Sequence, residues 1–193
     1  MLKYVPILIL CSTQLLYAQP NSENKNKGIF NITSFRAGWL TSGDLSLTSP
    51  DNVASNNRLE VSESSLYSLQ TITGFYLNPN YSVGLGFGLD RYSNPTYNTM
   101  PVFLDIRAYL YDEKNTSFFL LNLGTTISVE DLFRRGTLSE IGYGYKYTTP
   151  RNLRLIGSVN FHVKGLSLTG QPLSTADKSV TLRGLLISFG VLF

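Results

Sequence analysis

One histidine, a scatter of carboxylates and many serines are the residues of this chain that could do covalent chemistry. A hydrolytic or acyl-transfer site needs a nucleophile within hydrogen-bond reach of a base, and a third group to orient that base. His162 is the sole histidine, so any such site would depend on it. The string Asn160-Phe161-His162-Val163-Lys164 has no serine two residues on, as a His-x-Ser motif requires. Ser158 and Glu140 are candidate neighbours, but no spacing singles them out. We therefore expect no catalytic residues and read His162 as one member of a polar face. Gly84-x-Gly86-x-Gly88 has the outline of a nucleotide loop, yet no helix follows it and no acid stands at the right distance. One histidine, a lone Cys11 and no calcium-loop spacing of acids leave no metal-binding pattern. No cofactor is expected.

The elements that would position these residues are strands. Alternation with a period of two recurs near residues 28–41, 64–77, 81–91, 100–111, 116–127, 138–148, 153–164 and 179–193. In the third segment Tyr81, Val83, Leu85, Phe87 and Leu89 share one face, and Ser82, Gly84, Gly86, Gly88 and Asp90 the other. The seventh sets Leu153, Leu155, Val159, Phe161 and Val163 against Arg154, Ser158, Asn160, His162 and Lys164. In the first segment Asn31 and Thr33 fall on the apolar side, against the pattern. No segment keeps a helical period.

The connections carry a second pattern. Pro79-Asn80, Asp112 to Asn115 and Thr149 to Asn152 are short; 42–63, 92–99, 128–137 and 165–178 are longer. Short and long alternate strictly. This is the plan of an outer-membrane barrel, with an even strand count, short periplasmic turns and longer outer loops. A mean hydropathy near zero fits a wall whose two faces cancel. A soluble barrel with the aliphatic face inward would put Ser-Gly-Gly-Gly-Asp on an exposed strand. Glycines there weaken the strand without a gain. In a narrow lumen, which side chains just fill, they make room.

The expected lumen set is polar: Arg36, Asp90, Asp105, Arg107, Glu140, Lys146, Arg154, His162 and Lys164, with Gln70, Asn122 and Asn160. Charges in so narrow a space must be paired or hydrated. The outward Arg91 and Arg183 fall at the outer strand ends, where they can reach head groups. Trp39 and Tyr67 mark an outer aromatic girdle; Tyr81, Tyr147 and Phe193 mark an inner one.

Residues 1–18 have the form of a signal peptide: a basic start with Lys3, an apolar run to Leu16, and Ala18 before the cut. The run is too short to span a membrane as a helix, which takes about 20 residues. Cys11 lacks the preceding small residue of a lipoprotein site. Residues 19–27 are polar and read as a flexible periplasmic segment, leaving 28–193 for the barrel. Beyond the leader there is no cysteine to form disulfides. A net charge of +3 gives no sign of a nucleic-acid partner.

The terminus Leu185, Ile187, Phe189, Val191 and Phe193, the Gly84–Gly88 strand and the Pro101-to-Tyr111 strand together resemble the small outer-membrane barrels of the OmpX/OmpA type. The end of the leader, Leu16-Tyr17-Ala18 before Gln19, is similar to Bacteroidota exports. The resemblance implies an all-β, eight-stranded, antiparallel up-and-down barrel in the bacterial outer membrane. It implies contact with membrane lipid and lipopolysaccharide, and reading of Leu185, Ile187, Phe189, Val191 and Phe193 by the barrel-assembly machinery. The function it implies is non-enzymatic: a barrel displaying loops for surface interaction or envelope integrity. The first outer loop and the Glu130-Asp131-Leu132-Phe133-Arg134-Arg135 patch are where an unidentified partner would touch. A narrow channel for small solutes is the alternative, and a lipid A-modifying barrel enzyme the next.

Overall fold

The computed structural model describes residues 26–48, 54–59, 64–93, 96–127, 136–167 and 177–193. The expected leader, most of segment 19–27, part of the first outer loop and the Glu130–Arg135 patch lie outside the described residues.

The described residues form nine strands, all paired antiparallel: β1 (Ile29–Thr48), β2 (Ala54–Leu59), β3 (Ser65–Asn78), β4 (Tyr81–Tyr92), β5 (Tyr97–Tyr109), β6 (Thr116–Ile127), β7 (Gly136–Thr148), β8 (Arg154–Ser167) and β9 (Asp177–Leu192). Eight of them close into a barrel. The wall runs β1-β3-β4-β5-β6-β7-β8-β9 and shuts where β9 pairs with β1 from Ile32↔Leu192 to Thr48↔Asp177. Phe193 and Asn31 exchange backbone hydrogen bonds of 2.8 and 3.0 Å at the foot of this seam. The closure satisfies both edges of every wall strand over most of its length, which an open sheet could not do in an apolar medium.

The tight turns lie at one end of the barrel, called here the turn end. Their side chains explain them. Asn78 Oδ1 accepts from the backbone N–H groups of Asn80 and Tyr81, both at 2.9 Å, and shapes the β3–β4 turn. In the β7–β8 turn Thr149 Oγ1 accepts from Leu153 N, and Asn152 takes a φ of 62°, which asparagine tolerates.

Residues 42–63, expected as a loop, are in part a strand pair. β1 runs on to Thr48 with β9 beside it, and β2 folds back from Gly43↔Leu59 to Thr48↔Ala54. A Ser/Asn/Asp-rich composition hid a pattern of strand length. A bulge between Leu40 and Ser42 marks where β1 parts from β3 while staying paired with β9, and Thr41 Oγ1 donates to the Arg183 carbonyl beside it. Tyr111, expected on a strand, is exposed just beyond the end of β5.

The aliphatic face is outside. Leu85 is 68% exposed and Phe189 61%, with Phe35, Leu69, Ile141 and Ile187 likewise exposed. The twelve residues of β4, at ~3.3 Å each and tilted ~40°, cover roughly 30 Å. That is tall enough to carry the ~25 Å apolar band of a membrane barrel. Asn31 and Thr33 do face outward, and they are not isolated. Asn31 Nδ2 donates to Thr71 and Thr73 at 3.2 and 2.9 Å, and Thr33 donates to Asn31 Oδ1 at 3.3 Å. Polar groups that satisfy one another cost less in an apolar belt than bare ones.

Candidate functional site in the lumen

Alternation sends every second side chain into the lumen, and a barrel this narrow forces those chains together. All nine charged residues expected there have inward parity. Three separate clusters form. In the middle, Glu140 on β7 is the hub. It takes an ion pair from Arg36 on β1, a 2.7 Å contact from His162 Nδ1 on β8, and a 3.1 Å hydrogen bond from Asn122 Nδ2 on β6. The other ring nitrogen of His162 lies 3.0 Å from the Tyr92 hydroxyl on β4.

Towards the loop end, Lys164 pairs with Asp90 and donates to Thr99 Oγ1 at 2.8 Å. Its amine also sits 5.2 Å from the Tyr92 ring centre. Towards the turn end, Arg107 grips Asp105 on its own strand through two bonds of 2.8 and 3.1 Å, and stacks 5.1 Å over Phe118. Two-pronged guanidinium–carboxylate geometry is the strongest form of such a contact. Six strands are thus tied across the lumen by side chains far apart in sequence.

The remaining two expected residues stand elsewhere. Lys146, on β7 at the turn-end mouth, is buried and donates to Asn26 Oδ1. Asn26 belongs to the segment expected to be flexible. It is buried in the mouth and its Nδ2 donates to the Pro79 carbonyl at 2.8 Å, a difference from expectation that nothing in its local composition signals. Arg154, at the foot of β8, makes no ion pair among the described residues. Outside the wall, Arg183 pairs with Asp44 at 2.5 Å near the loop end.

The lumen is also more apolar than the sequence suggested. One cluster includes Phe30, Ile72, Phe103, Tyr109, Phe118 and Leu192. A second, towards the loop end, is made by Leu40, Leu66, Tyr92, Leu166, Val180, Leu182 and Leu186. The inward glycines answer to these rings more than to arginines. A Cβ on Gly86 would lie 2.2 Å from the Phe103 ring, and one on Gly144 2.4 Å from Phe118. Phe30, Tyr76, Tyr109 and Phe118 run ring to ring at 4.9, 5.7 and 5.6 Å across the turn-end floor.

Sequence reasoning missed Tyr92, Thr99 and Asn26. The first two continue the inward parity of Asp90 and Phe103, so the signal was present one step beyond the strand ends assigned. One small cavity in the middle is lined by Ser34, Gln70, Arg107, Asn122, Asn160 and Ser188 among others, with room for about one water. No group of His, Cys, Asp and Glu able to hold a metal occurs among the described residues.

A closed eight-stranded antiparallel wall, aliphatic outside and filled inside, defines the barrel class to which outer-membrane proteins of this size belong. Solved structures that share the fold include two outer membrane proteins. The outer membrane protein OprG from Pseudomonas aeruginosa aligns with a TM-score of 0.52 and 15% identity, over 88% of this chain and 98% of that one. The outer membrane protein AlkL, solved in lipid bilayers, aligns with a TM-score of 0.50 and 14% identity, over 88% and 92%. No family model and no curated protein matches the sequence.

Proposed function

We propose that this chain is a non-enzymatic barrel of the bacterial outer membrane whose filled lumen serves stability and whose loop-end extensions are displayed at the cell surface. The observation that carries the reading is the lumen's filling. Paired charges cross it in the middle, apolar clusters flank them, and a cavity between them among the described residues has room for about one water. The exposed aliphatic belt and the alternating turns and loops support the membrane location. The same proposal takes in residues 1–18 as a cleaved leader, the OmpX/OmpA-like character of the patterns quoted above and a Bacteroidota origin. It also takes in the exposed alternation of Leu185, Ile187 and Phe189 as an address for barrel assembly.

The absence of enzymatic chemistry is argued from His162. One ring nitrogen faces Glu140 and the other faces Tyr92, so neither is open to activate a serine. The projecting β1–β2 pair is the surface this reading offers to lipopolysaccharide or a protein partner. The test uses host cells lacking the protein, cells given the intact chain, and cells given a chain with 49–53 and 128–135 replaced by Gly-Ser. Detergent resistance and surface binding should return with the intact chain and not with the replaced one. Equal recovery by both would remove the loops from the account. Lipid A mass spectra that change with the intact chain would overturn the non-enzymatic reading.

A further inference from the structure

The buried cations of the lumen are not alike. Arg36, Arg107 and Lys164 each touch a carboxylate. Lys146 is as deeply buried, at 3% exposure, and touches none among the described residues. Among the described residues its amine meets a neutral amide oxygen of Asn26 and the face of Tyr109, 5.5 Å from the ring centre.

A second cation stands beside it. Lys146 is in register with Ile156 and Thr148 with Arg154, so Lys146 and Arg154 are diagonal neighbours on the same inward face. Asp112, on the adjoining turn, is exposed and forms an ion pair with neither. Two like charges share a mouth partly closed to water, with no carboxylate in contact among the described residues. Such an arrangement attracts an anion.

We infer that the turn-end mouth binds a small anion carrying carboxylate or phosphate oxygens, held by Lys146 and Arg154, and that Asn26 occupies Lys146 until the anion displaces it. The displaced contact is slight. Apart from Lys146, Asn26 keeps one side-chain hydrogen bond, to the Pro79 carbonyl. Two residues on, Gly28 turns the chain into β1 at a φ of +82°, and its carbonyl accepts from Tyr76 N at 3.0 Å. That turn stays fixed to the wall while Asn26 swings away. An anionic oxygen offers the ammonium a full charge where the amide offers a dipole. This inference needs the fold and not the display role.

The test is a titration of the mature protein, labelled with ¹⁵N in a phosphate-free maltoside detergent, with inorganic phosphate at constant ionic strength. Saturable shifts should appear at the Asn26 side-chain amide and the Lys146 backbone amide. Lys146→Met should abolish them. Arg154→Gln should weaken binding roughly tenfold, the effect of one charge-assisted contact. Asn26→Ala should tighten it, and this variant keeps the test open if Lys146→Met does not fold. The absence of saturable shifts in both the wild type and Asn26→Ala would overturn the site. So would equal shifts in Lys146→Met, or equal shifts with chloride. If saturable shifts appear only in Glu23→Gln and not in the wild type, the cations serve the chain's own carboxylate and the inference fails. Repeating the titration in nanodiscs separates two sources of the same chemistry. Shifts that need added phosphate in both phosphatidylcholine and phosphatidylglycerol discs indicate a soluble anion. Shifts already present with phosphatidylglycerol indicate a lipid head group in the same site.

Discussion

The middle of the lumen and its turn-end mouth are built from the same residue types and solve opposite problems. In the middle, Glu140 answers Arg36, His162 and Asn122 at once, and Asp90 answers Lys164. In the mouth, Lys146 is left with a neutral amide and an aromatic face, and Arg154 beside it has no ion pair among the described residues. A buried charge with its partner in place is costly to break and cheap to leave alone. One without a charged partner costs the fold free energy instead of supplying it, so an incoming counter-charge is favoured. The difference separates charges that hold the barrel shut from charges that keep a place open.

The sharpest break of that comparison is at the hub. Glu140→Ala strands Arg36 in the lumen, and removing one member of a buried pair costs ~3–5 kcal/mol. We expect the largest fall in the urea midpoint of the lipid-reconstituted protein from this change. Asp90→Ala should come next. It strands Lys164, but Thr99 and the Tyr92 ring still face the amine, so a loss of ~2–3 kcal/mol is expected by the same measurement. Gly86→Ala asks whether charge or packing holds the middle. Its Cβ would press on Phe103, and overpacking of this kind costs ~1–3 kcal/mol. Pairing it with Phe103→Leu should recover most of the loss; no recovery would mean the glycine serves another purpose. The smallest effect should be at the mouth. Lys146→Met removes an uncompensated buried charge, so stability should stay the same or rise by ~1 kcal/mol. A loss as large as that of Glu140→Ala would erase the distinction between the two regions.

Much of this architecture was legible in the chain. Alternation such as that of Tyr81 to Asp90 assigns both faces of a strand without reference to any neighbour. The strict order of short and long connections then leaves little choice of topology. What escaped did so for physical reasons. Leu186 lies between Leu185 and Ile187. Where both faces are apolar, alternation cannot say that the inside is apolar too. Tyr92 and Thr99 sit where loop composition interrupts the pattern before the pleat ends. The pairing of Arg36 with Glu140 joins residues 104 apart in sequence, and depends on how eight strands are staggered rather than on any local spacing. The anchoring of Asn26 depends on the position of Lys146 across the lumen, which no local string encodes.

The claim that organises this account is that the middle of the lumen is closed by its own paired charges. Planar-bilayer recording of the reconstituted wild-type barrel tests it most directly. We predict no steady ohmic steps from the wild type, with conductance events appearing when Glu140→Ala breaks the hub. Steady single-channel currents through the wild type, altered by substitutions at Arg36 or Lys164, would contradict it and make this barrel a channel.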